Sequence, residues 1–356
     1  MSSPDVVDTA AEAAEAEQPP LVVREPLEAF LDAHGIGEGR LEAERIGEGH
    51  SNFTFLVRRG DARVVLRRPP RPPLPPSAHD VLREARLLSA LEATPVRVPR
   101  VLASDEGDVL GVPFYLMEEM HGSVITSEIP PALDDEEGRR RICEELVDGL
   151  IEVHAVDWRK CGLEGYGKPT GYLERQLRRF NGLWEFNKTR ELPVVEEVGQ
   201  WLADNLPESP ESTIVHGDYR LGNVMVGDDP PARLVAVFDW ELSTIGDPLA
   251  DVGYLTVTWA QQDDPADISF SSLSAATRRD GFLSRGELTA RYEEGSGRSV
   301  TALNWYQALA LWKAAVFMEG NYKRFTMGNS DDEYLAFFDE GVPALAEKAR
   351  EVAQAR

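Results

Sequence analysis

Cysteine is scarce: Cys143 and Cys161 are the only two in 356 residues. They form no CxxC and join no His/Cys cluster, which argues against a zinc site. The same scarcity points to a reducing, cytoplasmic setting. No apolar run reaches the ~18 residues of a membrane span, so no membrane partner is expected. The N-terminal stretch MSSPDVVDTAAEAAEAEQPP contains no Lys or Arg and no long apolar segment. It therefore does not read as a signal peptide. Residues 1–20 are expected to be a disordered acidic tail, with a short docked helix as the other reading. Basic residues are also in deficit, 37 against 62 acidic ones, for a formal net charge of −25. Nucleic acid is excluded as the main partner, because a phosphate backbone needs a basic surface.

The chain is long enough for two lobes with separate cores, and its 42% hydrophobic content fits a globular protein. There is no internal repeat. Residues 21–36 have Leu27, Phe30 and Leu31 at helical spacing. The stretch from Arg45 to Val57 reads as strand, Gly-rich turn, strand, and residues 63–68 as a further strand. The proline run from Pro69 to Pro76 ends it. A helix is expected near 79–92, and strands near 98–104 and 113–118. Beyond about residue 133 the pattern turns helical, at 136–157 and 172–187. It is broken by two short β-rich runs between 212 and 240, and is helical again after Asp247. A β-rich lobe followed by a helical lobe is an α+β arrangement with a cleft between the lobes. The expected division is a tail at 1–20, an N-lobe at 21–120 and a C-lobe at 121–356.

The strongest constellation is His216-Gly217-Asp218-Tyr219-Arg220-Leu221-Gly222-Asn223, followed after a turn and a strand by Val237-Phe238-Asp239. Phosphoryl transfer needs a carboxylate that orients the acceptor hydroxyl and takes its proton. It also needs oxygen ligands for a magnesium ion on the phosphates. Asp218, Asn223 and Asp239 supply those groups in that order. Taken singly, each reads more readily as structural, Asp218 and Asn223 as turn residues and Asp239 as a strand end; together they favour the chemistry.

HGDYRLGNVMV and VFDWELSTIGDPLADVGYL resemble the two C-lobe motifs of the aminoglycoside phosphotransferase family, small-molecule kinases with a protein-kinase-like two-lobed fold. The resemblance covers residues from about 25 to about 330. It implies an active site between the lobes and ATP as phosphate donor. Asp218 would be the catalytic base, Asn223 and Asp239 the Mg²⁺ ligands, and His216 a brace for the loop. Asp247 and Asp251 read as structural supports, Asp247 as an N-cap ahead of Pro248. His154 lies on an apolar helix face and reads as a core histidine.

In the N-lobe, Gly47, Gly49, Ser51 and Asn52 occupy the position of the family's nucleotide loop, where glycine lets backbone approach phosphate. Arg67 stands where kinases usually carry Lys. It can grip phosphate through two donors but is bulkier, and Glu84 is its expected partner. Glu118 and Met120 are the expected backbone contacts for adenine, with Met117 behind the pocket.

The acceptor is read from helix 172–190. There Arg175, Arg178 and Arg179 interleave with Phe180, Trp184 and Phe186. Such a surface suits an anionic acceptor better than a cationic aminoglycoside, and it reads equally as a solvated face over core aromatics. Segment 304–329 carries Trp305, Leu309, Trp312 and Val316 at helical spacing, more in keeping with core than with a pocket. Both segments resemble the branch similar to the kinase-like domain fused to acyl-CoA dehydrogenases, which implies a hydroxyacyl-CoA or related anionic acceptor. Three readings stay open: a small-molecule kinase acting on a hydroxyl, an antibiotic phosphotransferase, and a non-catalytic nucleotide-binding pseudokinase.

Overall fold

Alternation of side chains decides the first sheet. Strand β4 (Phe53–Arg59) and β5 (Ala62–Arg68) each bury both faces at their centres, as does β7 (Phe114–Glu118). They are flanked by β3 (Glu42–Ile46) and β6 (Val101–Asp105), in the antiparallel order β3-β4-β5-β7-β6. This computed structural model describes residues 5–47, 52–71, 79–209, 211–264, 271–329 and 332–355. The chain divides into two compact units, residues 1–121 and 122–356.

The period of two sorts the first unit's residues by face. Phe55, Val57, Val64, Leu66, Phe114 and Leu116 point one way. They form a core with Leu27 and Leu31 of helix α2 (Arg24–Ala33). Tyr115, Met117 and Arg67 fall on the opposite face by parity. Helix α3 (Val81–Leu91) packs against β6 and β7, and it carries the buried Glu84.

Residues 5–20 depart from the expected disordered tail. Strand β1 (Val6–Val7) pairs in parallel with β2 (Val22–Val23). Helix α1 (Ala10–Glu15) starts on a Thr9/Glu12 capping box. Asp5 pairs with Arg71 at 2.7 Å and Asp8 pairs with Arg24. Average acidity hid a short apolar pair, a cap and acids with specific partners. Residues 1–4 lie outside the described residues, as do 72–78 of the proline run.

Among the described residues, the second unit holds two small antiparallel sheets. One pairs β8 (Thr213–Val215) with β11 (Thr244–Gly246), and the other pairs β9 (Val224–Val226) with β10 (Leu234–Val237). The helices are α4 (Glu136–Ala155), α5 (Tyr172–Asn187), α6 (Pro193–Asp204), α7 (Leu249–Thr258), α8 (Arg285–Ser296), α9 (Leu303–Thr326) and α10 (Phe338–Gln354). Trp305, Leu309, Trp312 and Val316 of α9 are buried among residues of α5, α6 and α10, so this segment is core. Helix α6 and strand β11 had no counterpart in the sequence reading. β11 has three residues, too few to show an alternation.

The second unit opens on a tight crossing. Ser123 and Val226 exchange two backbone hydrogen bonds, at 2.8 and 2.9 Å. Gly122 has φ +148°, and a Cβ there would lie 2.2 Å from the Val226 carbonyl oxygen. Gly122→Ala should therefore destabilise by more than the ~1 kcal/mol typical of a forbidden φ alone. Thermal melting checks this, and an unchanged midpoint would show that the crossing relaxes freely.

Candidate active site

The loop after β8 is held from below by one carboxylate. Asp251, fully buried in the first turn of α7, accepts the His216 amide at 2.7 Å and the Gly217 amide at 2.8 Å. His154 Nε2 lies 3.1 Å from the same carboxylate, and the Tyr292 hydroxyl lies 2.8 Å from its Nδ1. Burial pushes the His154 imidazole below its ordinary value, against the pull of Asp251. Burial works to raise Asp251, but the hydrogen bonds from His154 and the Gly217 amide outweigh it, so the carboxyl is held low. A neutral histidine thus donates to an ionised aspartate, and the aspartate anchors two loop amides. His154 is the satisfied core histidine of the sequence reading, with both ring nitrogens engaged.

His216 ties the loop to the next strand. Its Nδ1 accepts the Asp218 amide at 3.2 Å, and its Nε2 is 2.8 Å from the Phe238 carbonyl. These two bonds fix the Nε2–H tautomer. Tyr219, fully buried, donates its hydroxyl to the Leu146 carbonyl of α4 at 2.7 Å. Asp247 accepts the Leu249 amide at 2.9 Å and the Tyr306 hydroxyl at 2.7 Å, which pins the start of α7 to α9.

Asp218 and Asn223 meet directly. The Asn223 Nδ2 donates to Asp218 Oδ2 and to the Asp218 main-chain oxygen, both at 2.8 Å. With its amide nitrogen so committed, Asn223 has its side-chain oxygen to offer a cation. The β9–β10 register pairs Val224 with Val237, and the Phe238 amide donates to the Asn223 carbonyl at 2.9 Å. Asp239 comes one residue further, in a left-handed conformation with φ +64°. The ladder therefore brings Asn223 and Asp239 to one end of one hairpin.

Asp218 Oδ1 is buried and has no hydrogen-bond partner among the described residues. The nearest cation is Arg220, whose Nε is 3.6 Å away. The Tyr254 hydroxyl hydrogen-bonds Asp218, and burial, together with the Asp218 carboxylate, raises its phenol well above the ordinary value. Tyr254 is therefore a protonated donor at every physiological pH. Tyr254 and Arg220 lie inside the two motifs, yet neither was singled out from the sequence. Spacing alone does not show that they converge on Asp218.

Among the described residues, no group of three His, Cys, Asp or Glu could hold a metal. Asn223 and Asp239 offer hard oxygen donors from one amide and one carboxylate. That set fits magnesium, which is held by one or two protein groups plus substrate phosphates.

In the first unit, Arg67 Nε donates to Glu84 Oε2 at 2.8 Å, and Glu84 is 2% exposed. Gly47 follows β3 with φ +75°. Asn52 is buried, with its Oδ1 3.3 Å from His79 Nδ1. Gly49 and Ser51 lie outside the described residues. Met117 is buried in β7, the Glu118 amide donates to the Arg100 carbonyl at 3.0 Å, and Met120 follows the strand.

Two of the acceptor candidates are committed elsewhere. Arg175 folds back onto the Thr170 and Lys168 carbonyls, and Trp184 is 2% exposed in the helical core. Arg178 and Arg179 are exposed.

Residues 42–282 match the model of the phosphotransferase enzyme family. The chain is 33% identical over 324 residues to acyl-CoA dehydrogenase family member 11 of Gallus gallus, covering 89% of this chain and 41% of that protein. It thus spans about two fifths of the length of that relative. A crystal structure of a candidate aminoglycoside phosphotransferase from Ralstonia eutropha JMP134 superposes with a TM-score of 0.78 at 30% identity, covering 93% of this chain and 98% of that one. Aminoglycoside phosphotransferase APH(4)-Ia, in complex with AMP-PNP and hygromycin B, shares the fold with a TM-score of 0.60 at 15% identity, covering 93% of this chain and all of the other. The architecture is thereby that of the kinase-like phosphotransferases, an α+β fold with a β-rich first unit and a helical second one. No helix among the described residues is long and apolar enough to cross a membrane.

Proposed function

Because the chain belongs to the phosphotransferase enzyme family, we propose that it moves the terminal phosphoryl group of ATP to a hydroxyl of a small anionic molecule such as a hydroxyacyl-CoA. The observation that carries this reading is the buried Oδ1 of Asp218, which accepts no hydrogen bond among the described residues. A buried acceptor oxygen without a hydrogen-bond donor is costly unless a ligand supplies one. A substrate hydroxyl does so, and its proton passes to Asp218 as its oxygen bonds to the γ-phosphorus and ADP leaves. Asn223 Nδ2 and the Tyr254 hydroxyl hold the carboxylate in place for that transfer. Asn223 and Asp239 are the magnesium ligands in this reading. The ion, when bound, offsets phosphate charge.

On the donor side, Gly47, Asn52 and the Arg67–Glu84 pair are assigned to the phosphates, and Met117, Glu118 and Met120 to the adenine. Similarity to a relative named for acyl-CoA dehydrogenation supports an acyl-type acceptor. The test is magnesium-dependent ATP consumption with hydroxyacyl-CoAs, amino alcohols and aminoglycosides. The hydroxyacyl-CoAs should turn over. Turnover confined to aminoglycosides would replace the acceptor, and consumption with no class would overturn the reading.

A further inference from the structure

A lysine in the middle of α9 is out of character with its surroundings. Lys313 follows the fully buried Trp312, and its Nζ stands 5.0 Å from the centre of the Phe180 ring. The Arg179 guanidinium stands 5.9 Å from the same ring. Phe180 leans on Trp312, with ring centres 6.2 Å apart. Two cations from two helices thus share one aromatic platform.

Several other cations of this unit end on carboxylates. Arg190 pairs with Glu319 and Asp339, Arg285 with Asp264, Arg291 with Asp148 and Arg298 with Glu211. Arg179 and Lys313 have no such ion pair among the described residues. Burial and the Arg179 charge hold the Lys313 amine down to about 8, while the carboxylates of Asp251 and Asp218 pull it up. Lys313 therefore feels Arg179 from α5, Asp251 from α7 and Asp218 from the loop after β8. Two like charges at one ring, the Arg179 one exposed and the Lys313 one half-buried, favour an anion over a cation there.

We infer that Lys313 and Arg179, mounted on Phe180, form an anion-recognition subsite that grips a carboxylate or phosphate-type group of the molecule presented to Asp218. That the molecule is a phosphoryl acceptor rests on the phosphotransferase reading, whereas its anionic character does not. The two cations act as positioning residues: they hold one end of the ligand so that its hydroxyl reaches Asp218 Oδ1.

The experiment is equilibrium binding by calorimetry on the full chain, with AMP-PNP and Mg²⁺ present. The probes are 3-hydroxybutyrate for the carboxylate arm, 3-hydroxybutyryl-CoA for the phosphate arm, 1,3-butanediol as a neutral analogue and choline as a cationic one. Wild type should favour an anionic arm, and the arm that binds identifies the source of the charge. Lys313→Met and Arg179→Gln should each weaken that binding by roughly 10–100-fold, the worth of one charge-assisted hydrogen bond. AMP-PNP affinity should not move, and Lys313→Arg should restore most of the loss. Equal affinity in the variants, a preference for the diol or choline, or no binding of either anionic probe would overturn the inference. A fall in melting temperature without loss of anion affinity would do the same, since the cations would then only support Phe180. If the variants lose the anion but wild type consumes no ATP with it, the subsite stands and the phosphotransfer reading fails.

Discussion

Asp218→Asn lowers acceptor phosphorylation by about 10²–10⁴-fold, or roughly 3–5 kcal/mol of barrier, and leaves ATP affinity where it was. The side chain keeps its size, and its oxygen can still accept from Asn223 Nδ2, 2.8 Å away in the native loop. The loop itself hangs on backbone bonds to Asp251 that the substitution does not touch. What the substitution removes is the negative charge that, in the proposed reaction, receives a proton. Single-turnover rates with saturating ATP isolate that loss from binding. Rates equal to wild type would remove Asp218 from the chemistry and leave it as a turn residue. A matched fall in ATP affinity would instead mean that the carboxylate acts on the nucleotide.

If Asp239 is a magnesium ligand, as proposed, Asp239→Ala should abolish the magnesium dependence of nucleotide binding. Loss of a mere outer-shell partner weakens metal binding by about 10–100-fold, and loss of a ligand should exceed that. Asp239 also holds a backbone with φ +64°, which Asp and Asn tolerate better than Ala. The alanine variant therefore carries a second defect of about 1–3 kcal/mol in stability. Asp239→Asn separates the two: it removes the charge and keeps a residue suited to the turn. Both variants should lose the magnesium response in calorimetry run with and without the ion, and only the alanine should melt markedly earlier. A magnesium response retained in Asp239→Asn would assign the ion to other ligands.

The loop His216–Asn223 was legible because its chemistry is written in consecutive residues, and the β9–β10 hairpin only has to bring Asp239 back to it. The sheet was legible because Val64 to Leu66 and Phe114 to Met117 are apolar runs bounded by turns. The N-terminal segment was not, since Val6 and Val7 act through Val22 and Val23, and Asp8 and Asp5 through Arg24 and Arg71, partners that composition averages away. The acceptor side divides the same way. The basic character of α5 is local and visible, but which of its arginines is uncommitted depends on where the chain folds back. Arg175 and Arg179 are one turn apart, yet the first is taken up by the loop that precedes α5. Lys313 was hidden among tryptophans and leucines of a core helix, 134 residues from Arg179 by sequence number. Only packing of α5 on α9 brings both to Phe180.

The Arg67–Glu84 pair also has a bearing on chemical labelling. Nucleotide analogues with an acylating tail mark kinases by transferring an acyl group to a lysine amine beside the phosphates. A guanidinium stays protonated across the accessible range and is no nucleophile. With nucleotide bound as proposed, such a reagent would depart without leaving its tag at position 67, so a blank labelling experiment would carry no information about whether nucleotide had been bound.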